Sequence, residues 1–437
     1  MGQASVIKTP LNSVDEAILD LDGPVEPWSC HLEIRCAGTL DPRRVGESVA
    51  AAVRRHPLAH ARLVPAALTD TGRSWEITDA IPPIPVEVSY CRTDSEVAEA
   101  RARLQSVSPR LQEAPPFQVA LVAHPDGDYL MLNVHHAVGD GMTSYRLMVS
   151  ILRAYAGLDD PVPAVDPLAS RDLVALVGSK SITERLQRLT ELAGHIGVHR
   201  SAPARVAPSG ATERPGYGFH LMALDAGDVR TLVARRTGGS TINDLLIAGL
   251  VAAIHRWNAD HCAQNGRIGI MMPVNLRPAA WRNDVLGNVV SYVTVSVPRE
   301  SQADLMDAVG MVVPQTARFK EASSAAALID LLQINSKLIP RPLRSKIALL
   351  QPLTGGTIVA TAVLSNLGRQ NMPDLPAPAG PIKQAWFSPP GHMPMGTSVG
   401  VITVGDQLFI TLRYRHTQFD SATAAAFAEA YREILLT

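Results

Sequence analysis

The spacing of apolar and polar residues divides the chain into a mixed succession of strands and helices. Residues 31–38 alternate between apolar and polar side chains, which predicts a half-buried strand. Residues 41–58 have helical spacing between an aspartate cap and a terminating proline. The same reasoning predicts helices over 13–21, 142–158, 171–197, 240–257 and 420–436, strands over 267–278 and 356–368, and hairpins over 117–136 and 397–417. Ser13 and Ser240 are expected to cap their helices.

Two stretches rich in proline interrupt this succession and predict linkers. Residues 157–170 are rich in Pro and Asp, and residues 201–218 are rich in Pro, Gly and Ala. A chain of 437 residues is also long for a single hydrophobic core. The predicted division is an N-terminal lobe over 1–170, a connecting helical segment over 171–204 and a C-terminal lobe over 205–437.

Composition and charge exclude several classes of partner. Hydrophobic residues make up 46% and charged residues 19% of the chain, and the formal net charge is −1 at pH 7. This balance provides no bulk attraction for nucleic acid or for an anionic membrane surface. The chain contains no run of 18 apolar residues, so no transmembrane segment is expected. Acidic residues stand near the N-terminus where a secretory signal needs an apolar run, and a cytoplasmic location is therefore expected.

Four cysteines are too few and too scattered for a disulfide framework or a zinc site. They are Cys30, Cys36, Cys91 and Cys262, and no two of them have a CxxC spacing. Reduced thiols are therefore expected, and no metal ligand is assigned to them.

One short stretch, NVHHAVGDGM over 133–142, concentrates residues that carry chemistry. It places His135 and His136 at the end of a predicted strand, and Asp140 and Gly141 at the start of the next helix. Successive side chains of a strand point to opposite faces, so the two histidines cannot bind one metal ion from a regular strand. No HExxH pattern or third-ligand cluster accompanies them. We therefore expect no metal site.

Two interpretations of this stretch stay open on the residues alone. A neutral imidazole at His136, with an ordinary pKa of about 6.5, is suited to act as a general base near pH 7. Asp140 would then cap the helix, pair with a distant cation or hold the loop, and Gly141 would let other groups approach the helix N-terminus. The alternative is that both histidines are structural residues at the end of a strand.

The pattern HHxxxDG on a strand, loop and helix resembles the acyltransferase superfamily with the chloramphenicol acetyltransferase-like fold. This superfamily includes peptide-synthetase condensation domains, plant BAHD acyltransferases, wax-ester and diacylglycerol acyltransferases, and mycobacterial polyketide-associated acyltransferases. Further segments resemble the family in the same order along the chain, namely 11–19, 54–63, 241–250, 272–278, 283–291, 365–368 and 404–420. The resemblance covers the chain from about residue 11 to residue 436.

The resemblance implies an α/β (α+β) fold with two chloramphenicol acetyltransferase-like lobes. Each lobe would be a mixed, mostly antiparallel sheet with flanking helices, and the active-site channel would lie at their interface. His136 corresponds to the general base that deprotonates the acceptor, in a catalytic motif completed by His135 and Gly141.

Asp140 corresponds to a structural aspartate rather than to a base. In the family it pairs with an arginine, and Arg277 is the matching residue, with Arg62 as a second candidate. A buried carboxylate needs such a partner, so loss of Asp140 is expected to damage the shape of the site.

The tetrahedral oxyanion of acyl transfer needs hydrogen-bond donors as well as a base. The backbone N–H of Gly141 and the side chains of Ser365, Asn366 and Asn275 are the candidates for binding the oxyanion or the substrate. Ser365 and Asn366 are equally explained as turn residues that end a strand.

The implied function is direct transfer of an acyl group from acyl-CoA or an acyl-carrier thioester to a small-molecule alcohol or amine. The expected setting is bacterial natural-product or lipid biosynthesis, and the expected state is a monomer without a cofactor. A thiolate leaves without help from a strong acid, because the ordinary pKa of a thiol is about 8.5.

Two alternatives accompany this hypothesis. The first is a catalytically silent docking or scaffold domain of the same fold. The second is a serine hydrolase that uses Ser398 in GTSVG over 396–400, but this nucleophile pattern needs a strand, a tight turn and a helix. The residues that follow predict a hairpin instead, which argues against the hydrolase.

Overall fold

The computed structural model describes residues 6–22, 27–67, 70, 72–81, 83–198, 202–263, 266–320, 323–338, 344, 360–391 and 395–437. Within these residues the helices are α1 (Ser13–Leu21), α2 (Pro42–Arg55), α3 (Asp94–Gln105), α4 (Gly141–Ala156), α5 (Leu173–Val177), α6 (Ile182–Val198), α7 (Ala226–Ala234), α8 (Ile242–Asp260), α9 (Leu305–Lys320), α10 (Ser323–Leu338) and α11 (Ser421–Leu436). The strands are β1 (Val6–Pro10), β2 (Ser29–Cys36), β3 (Arg62–Leu63), β4 (Ser74–Thr78), β5 (Val86–Tyr90), β6 (Phe117–Ala123), β7 (Tyr129–His135), β8 (Tyr217–Leu224), β9 (Ile268–Asn275), β10 (Val290–Val297), β11 (Ala362–Gln370), β12 (Ile382–Ser388), β13 (Thr397–Val404) and β14 (Gln407–Arg415).

A five-stranded sheet in the order β12-β2-β7-β6-β5 is the centre of the first lobe. Its neighbouring strands are antiparallel except for β5 and β6. Side chains of β6 and β7 alternate between the two faces of the sheet, as the strand period requires. Leu121, Leu130 and Leu132 belong to the core that includes α2 and α4, whereas Val122 and Met131 pack with residues of α3. The sheet is thus covered on both faces.

A six-stranded sheet in the order β10-β9-β11-β13-β14-β8 is the centre of the second lobe. Its parallel pairs are β9 with β11 and β11 with β13, and the other neighbours are antiparallel. Helices α8, α9 and α11 supply buried residues to the core on this sheet, among them Leu246, Val312 and Phe427. A smaller sheet in the order β1-β4-β3 lies beside the first lobe. The predicted fold class, two lobes with mixed sheets and flanking helices, is confirmed.

Strand β12 comes late in the chain but completes the sheet of the first lobe. It pairs antiparallel with β2, where Phe387 lies opposite Leu32. The next strand along the chain, β13, returns to the sheet of the second lobe. The division into 1–170, 171–204 and 205–437 stays a prediction, and it assigns β12 to the C-terminal lobe although β12 pairs with β2 of the first.

The helices and strands named from the sequence are observed close to their predicted bounds within the described residues, but two caps were misplaced. The elements that were not predicted are α3, α7, α9, α10, β1, β3, β4, β5, β8, β10 and β12. The side chain of Asn12, rather than that of Ser13, accepts the first backbone N–H groups of α1. Thr241, rather than Ser240, does so for α8. In both cases an aspartate three residues after the cap closes a capping box, and this reciprocal pair decides between adjacent polar residues.

Two predicted segments fall partly on residues outside the described ranges. The strand predicted over 356–368 is observed from Ala362 onward, and residues 356–359 lie outside the described residues. Residues 199–201 of the connecting segment also lie outside them. Helices α5 and α6 occupy the described part of that segment, as the apolar spacing predicts.

Three further properties bear on function. No helix among the described residues is long and apolar enough to cross a membrane. In the same part of the chain, no three His, Cys, Asp or Glu side chains are grouped so that they could hold a metal ion. Cys30, Cys36 and Cys91 are buried free thiols, and Cys262 is an exposed one.

Candidate active site

The HHxxxDG motif lies where the first sheet leads into helix α4. Strand β7 ends at His135, and the backbone N–H of His136 donates to the carbonyl oxygen of Trp28 at 2.7 Å. A turn follows, and Asp140 ends it as the N-cap of α4. The Asp140 carboxylate accepts the backbone N–H of Thr143 at 3.1 Å. The backbone therefore fixes both the position of the imidazole and the start of the helix.

The imidazole of His136 is buried and uncharged near neutral pH. Its Nε2 lies 3.2 Å from the hydroxyl oxygen of Tyr292, and its ring centroid lies 6.2 Å from that of Trp28. Burial holds the pKa of His136 below its ordinary value of 6.5, although the charge of Asp140 opposes this shift. A neutral imidazole has a nitrogen lone pair available, so His136 is suited to accept a proton.

A loop from the second lobe binds the backbone of His136. The side-chain amide of Asn288 donates to the His136 carbonyl oxygen at 2.6 Å and to a carboxylate oxygen of Asp15 at 2.9 Å. Arg171 donates to the other oxygen of Asp15. Gly287 has φ +141°, and an added Cβ there would lie 2.9 Å from the Arg171 side chain, so glycine is required. These buried contacts fix the loop against the predicted base.

Asp140 and Arg277 form a buried ion pair that joins the two lobes. Arg277 Nη1 donates to Oδ2 at 2.7 Å, and Nη2 donates to Oδ1 at 3.0 Å. The backbone N–H of Val289 also donates to Asp140 Oδ2, at 3.1 Å. Arg277 Nη2 further donates to the carbonyl oxygen of Gly287 at 2.6 Å. Both carboxylate oxygens of Asp140 are thus occupied, which is the arrangement that a structural role predicts.

Two residues named from the sequence lie away from this site. Nδ1 of His135 accepts the backbone N–H of Ala137 at 3.1 Å, and its Nε2 lies 3.2 Å from Asp22 Oδ2. His135 therefore supports the loop, and it lines neither of the cavities beside His136. Arg62 was the second candidate partner of Asp140, and this prediction is wrong, because its guanidinium binds Glu76 instead.

Two adjoining cavities give access to His136. The smaller has a volume of about 40 Å³ and includes His136, Tyr292, Cys30 and Phe387 in its wall. The larger has a volume of about 540 Å³ and is lined mainly by residues of the second lobe. Asp140, Gly141, Pro273, Val290 and Ser365 line both cavities. The imidazole is thus reached from a cleft between the lobes.

Gly141 keeps the junction of the two cavities open. It is the first residue of α4, where a helix N-terminus favours negative charge. An added Cβ would lie 2.6 Å from Cζ of Phe387 and 2.8 Å from Cδ2 of Leu367. Any side chain at this position would therefore displace the wall beside His136.

The three polar residues predicted to bind the oxyanion or the substrate differ in what holds them. Asn366 donates to Asn243 at 3.3 Å and accepts a backbone N–H, so its amide is already engaged. Oδ1 of Asn275 accepts the backbone N–H of Arg277 at 3.0 Å. Ser365 lines both cavities, and within the described part of the chain its hydroxyl has no hydrogen-bond partner. The side-chain NH2 group of Asn275 also has no hydrogen-bond partner among the described residues, but Ser365 is the one of these two residues that lines both cavities.

The GxSxG pattern does not form a nucleophile elbow. Ser398 is fully buried within β13, and its hydroxyl donates to the carbonyl oxygen of Pro389 at 3.2 Å. Strand β13 continues through a turn into β14, and no helix follows the serine. The hydrolase alternative therefore lacks the geometry that it requires.

Tyr292 and Asn288 are site residues that the sequence reasoning missed. Asn288 lies inside the segment 283–291 that resembles the family, and Tyr292 follows directly after it. The sequence analysis named the segment 283–291 only for its resemblance to the family, and it predicted neither β10 nor a side chain that contacts the imidazole from the other lobe. The contact requires knowledge of how the lobes are placed.

Comparison with known proteins places these features in a family. Residues 20–167 match a model described as Condensation domain. The chain is 35% identical over 430 residues to the uncharacterized protein Rv2305 of Mycobacterium tuberculosis (strain ATCC 25618 / H37Rv), which covers 98% of this chain and 99% of that protein. It is 25% identical over 339 residues to Rv2484c of the same strain, named as a candidate diacylglycerol O-acyltransferase, covering 70% of this chain and 66% of that one.

One solved structure extends the comparison to the whole fold. It is TRI3 trichothecene 15-O-acetyltransferase from Fusarium sporotrichioides, with a TM-score of 0.71 and 11% identity. The match covers 99% of this chain and 95% of that one. At such low identity the likeness concerns the fold alone.

Proposed function

The chain belongs to one family with Rv2305, and its residues 20–167 match the condensation-domain model; from this premise we propose that it transfers an acyl group from a thioester to an alcohol or amine, with His136 as general base. The observation that carries this proposal is the environment of His136. Its imidazole is neutral, its backbone is held from both lobes, and a cleft between the lobes reaches it. A buried structural histidine would need none of this access.

The proposed reaction is a direct transfer with no covalent acyl-enzyme. The acceptor gives its proton to Nε2 of His136 while its oxygen or nitrogen forms a bond to the thioester carbon. The π electrons of the carbonyl move onto oxygen, which is then stabilised by hydrogen-bond donors and by the N-terminus of α4. When the tetrahedral intermediate collapses, the C–S bond breaks and the thiolate takes the proton from Nε2.

An alcohol is the acceptor that one sequence relative favours. Rv2484c is named as a candidate diacylglycerol O-acyltransferase. A neutral hydroxyl also suits the site, because the small cavity at His136 has many apolar residues in its wall, among them Trp28, Val290 and Phe387. We therefore propose ester formation in lipid or natural-product biosynthesis as the first case to examine.

The experiment that tests the proposal is a substrate screen with purified protein. Acyl-CoA esters of graded chain length are offered with panels of alcohols and amines, and thiol release and product mass are recorded. We expect release that depends on the acceptor and yields an ester or amide. If the folded protein releases no thiol with any pair, the docking or scaffold alternative is favoured instead.

Arg282 at the wall of the larger cavity is expected to bind the phosphates of a CoA donor. Its side chain is exposed, and among the described residues it has no ion-pair or hydrogen-bond partner. We expect Arg282→Glu to raise KM for acyl-CoA about two- to fivefold, because exposed charge pairs contribute up to ~1 kcal/mol. KM for a short acyl thioester without phosphate should change little.

The control for this charge reversal is Arg230→Glu, which changes an exposed arginine of α7 that lines neither cavity. It should leave both KM values unchanged. Equal KM values for acyl-CoA in wild type and Arg282→Glu would show that Arg282 does not bind the phosphates of CoA.

The pH dependence of turnover should report the depressed pKa of His136. Only the neutral imidazole accepts a proton, and because burial lowers the pKa of His136, the neutral form persists to lower pH. Near pH 6 an ordinary histidine is about three-quarters protonated, whereas this protein should retain a larger share of its plateau kcat/KM than the remaining quarter. Initial rates from about pH 5 to 8 measure the acidic limb. A midpoint above the ordinary histidine pKa would contradict the assignment.

A further inference from the structure

Tyr292 reaches the proposed base from the opposite lobe. It lies on β10, the edge strand of the six-stranded sheet, where it pairs with Pro273 of β9. Its hydroxyl oxygen lies 3.2 Å from Nε2 of His136. Both residues line the smaller cavity, so the hydroxyl stands where an acceptor must enter to give up its proton.

The protonation states of Tyr292 and His136 determine which of the two donates the hydrogen bond between them. Burial, together with the nearby Cys30 and Asp140, raises the pKa of Tyr292 well above its ordinary value of 10. The hydroxyl therefore keeps its proton throughout the physiological range. His136 is neutral, because burial lowers its pKa. In the tautomer with the lone pair on Nε2, the phenol donates to the imidazole.

We infer that Tyr292 is a further catalytic residue, whose hydroxyl holds Nε2 of His136 in the resting protein and donates to the thioester carbonyl oxygen during transfer. This inference rests on the proposed acyl transfer. When the acceptor hydroxyl takes Nε2, the phenol loses its partner. The carbonyl oxygen arrives at the same moment in the same small cavity and gains negative charge as the acceptor attacks.

Other candidate donors leave room for this role. The amide of Asn366 is engaged with Asn243. Asn275 has an NH2 group that is free among the described residues, but it lines only the larger cavity and not the smaller one that contains His136. Ser365 lies on the wall that joins the two cavities. Tyr292 alone among these polar groups is within hydrogen-bond distance of Nε2 within the described ranges.

The exchange of partners needs no additional reagent. The acceptor proton moves to Nε2 as the new bond to the carbonyl carbon forms, and the π electrons move to the carbonyl oxygen. The Tyr292 proton stays on the phenol and only changes the acceptor of its hydrogen bond. When the tetrahedral intermediate collapses, the carbonyl forms again, the C–S bond breaks, and the thiolate takes the proton from Nε2. The phenol of Tyr292 can then donate to Nε2 again.

The test compares Tyr292→Phe with wild type by two independent measurements. The first is an NMR titration of His136 without substrate, with its signal assigned by its loss in His136→Ala. The phenol stabilises the neutral imidazole, so its removal should raise the pKa of His136. The charged and titratable groups that face this ring are Tyr292 from β10, Cys30 from β2, and Asp140 and His135 beside it in sequence, and only the first is changed.

The second measurement is turnover with the thioester screen. Loss of one oxyanion donor should lower kcat about 10²–10³-fold, with KM for the thioester changed by about twofold or less. The acidic limb of the rate profile should move upward together with the NMR pKa. The matched control is Tyr431→Phe, which removes a buried hydroxyl bonded to Leu246 outside the site.

The outcomes separate this inference from the proposed function. A raised His136 pKa with a lowered kcat supports it. An unchanged His136 pKa overturns the resting contact, and a raised pKa with unchanged kcat overturns the role at the carbonyl. Wild-type protein without any turnover overturns the proposed function, and the substrate-free titration then still decides whether the phenol holds Nε2.

Discussion

Replacing His136 with alanine is expected to lower kcat/KM for acyl transfer by ~10²–10⁴-fold, the contribution of a well-placed general base. The acceptor would have to lose its proton without a partner at the position that Nε2 occupies beside the small cavity. The fold should persist, because the backbone at position 136 makes the contacts that matter for structure. Its N–H bonds to Trp28 and its carbonyl oxygen accepts from Asn288, and both bonds survive the substitution.

This result is measured by steady-state kinetics together with circular dichroism and thermal melting. His220→Ala provides a matched control, because His220 is a partly buried histidine on the far edge strand β8. That variant should keep wild-type kcat/KM. If His136→Ala turned over within a few-fold of wild type with a matching spectrum, the assignment of the base would be wrong.

Replacing Asp140 with alanine is expected to lower the free energy of unfolding by ~3–5 kcal/mol, in addition to reducing activity. Asp140 and Arg277 are both almost fully buried, and removing the carboxylate leaves a guanidinium without its counter-charge. The N-cap of α4 is also lost, which commonly costs ~1 kcal/mol by itself. The loss should therefore be large for a single side chain.

Denaturant unfolding of Asp140→Ala measures this effect, and a double variant identifies its origin. Arg277→Met removes the orphaned charge, so the pair Asp140→Ala with Arg277→Met should be less destabilised than the sum of the two single variants. An Asp140→Ala protein with the wild-type free energy of unfolding would show that the ion pair is not a structural one. Additive single effects would show that the two residues do not interact.

Some features of the site could be predicted because their signals lie close together in sequence. The motif at 133–142 sets a strand, a turn and a helix cap within ten consecutive positions, and local geometry then decides where His136 and Asp140 lie. The hairpins and the helices were accessible for the same reason, since their apolar periods reflect one buried face. The partner of Asp140, Arg277, was predicted from the resemblance to the family and not from the periodicity of the sequence.

Features that depend on contacts between distant parts of the chain could not be predicted from the sequence. Arg62 and Arg277 are both arginines near the family's matching segments, and only tertiary placement shows that Arg62 meets Glu76. Tyr292 contacts His136 across a separation of 156 positions, and no local pattern encodes such a pair. The caps at Asn12 and Thr241 were misassigned for a smaller reason, because several polar residues stand side by side there.

The crossing of β12 into the first sheet limits how such proteins can exchange halves. Homologous recombination or domain shuffling at residue 170 would join a first lobe from one parent to a β12 from another. Strand β12 of one parent would then have to pair with β2 of the other parent. Its Phe387 would also have to pack beside a Gly141 from that other parent. A working chimera must therefore carry Ile382–Ser388 with the first lobe, so natural variants are expected to inherit these two distant segments together.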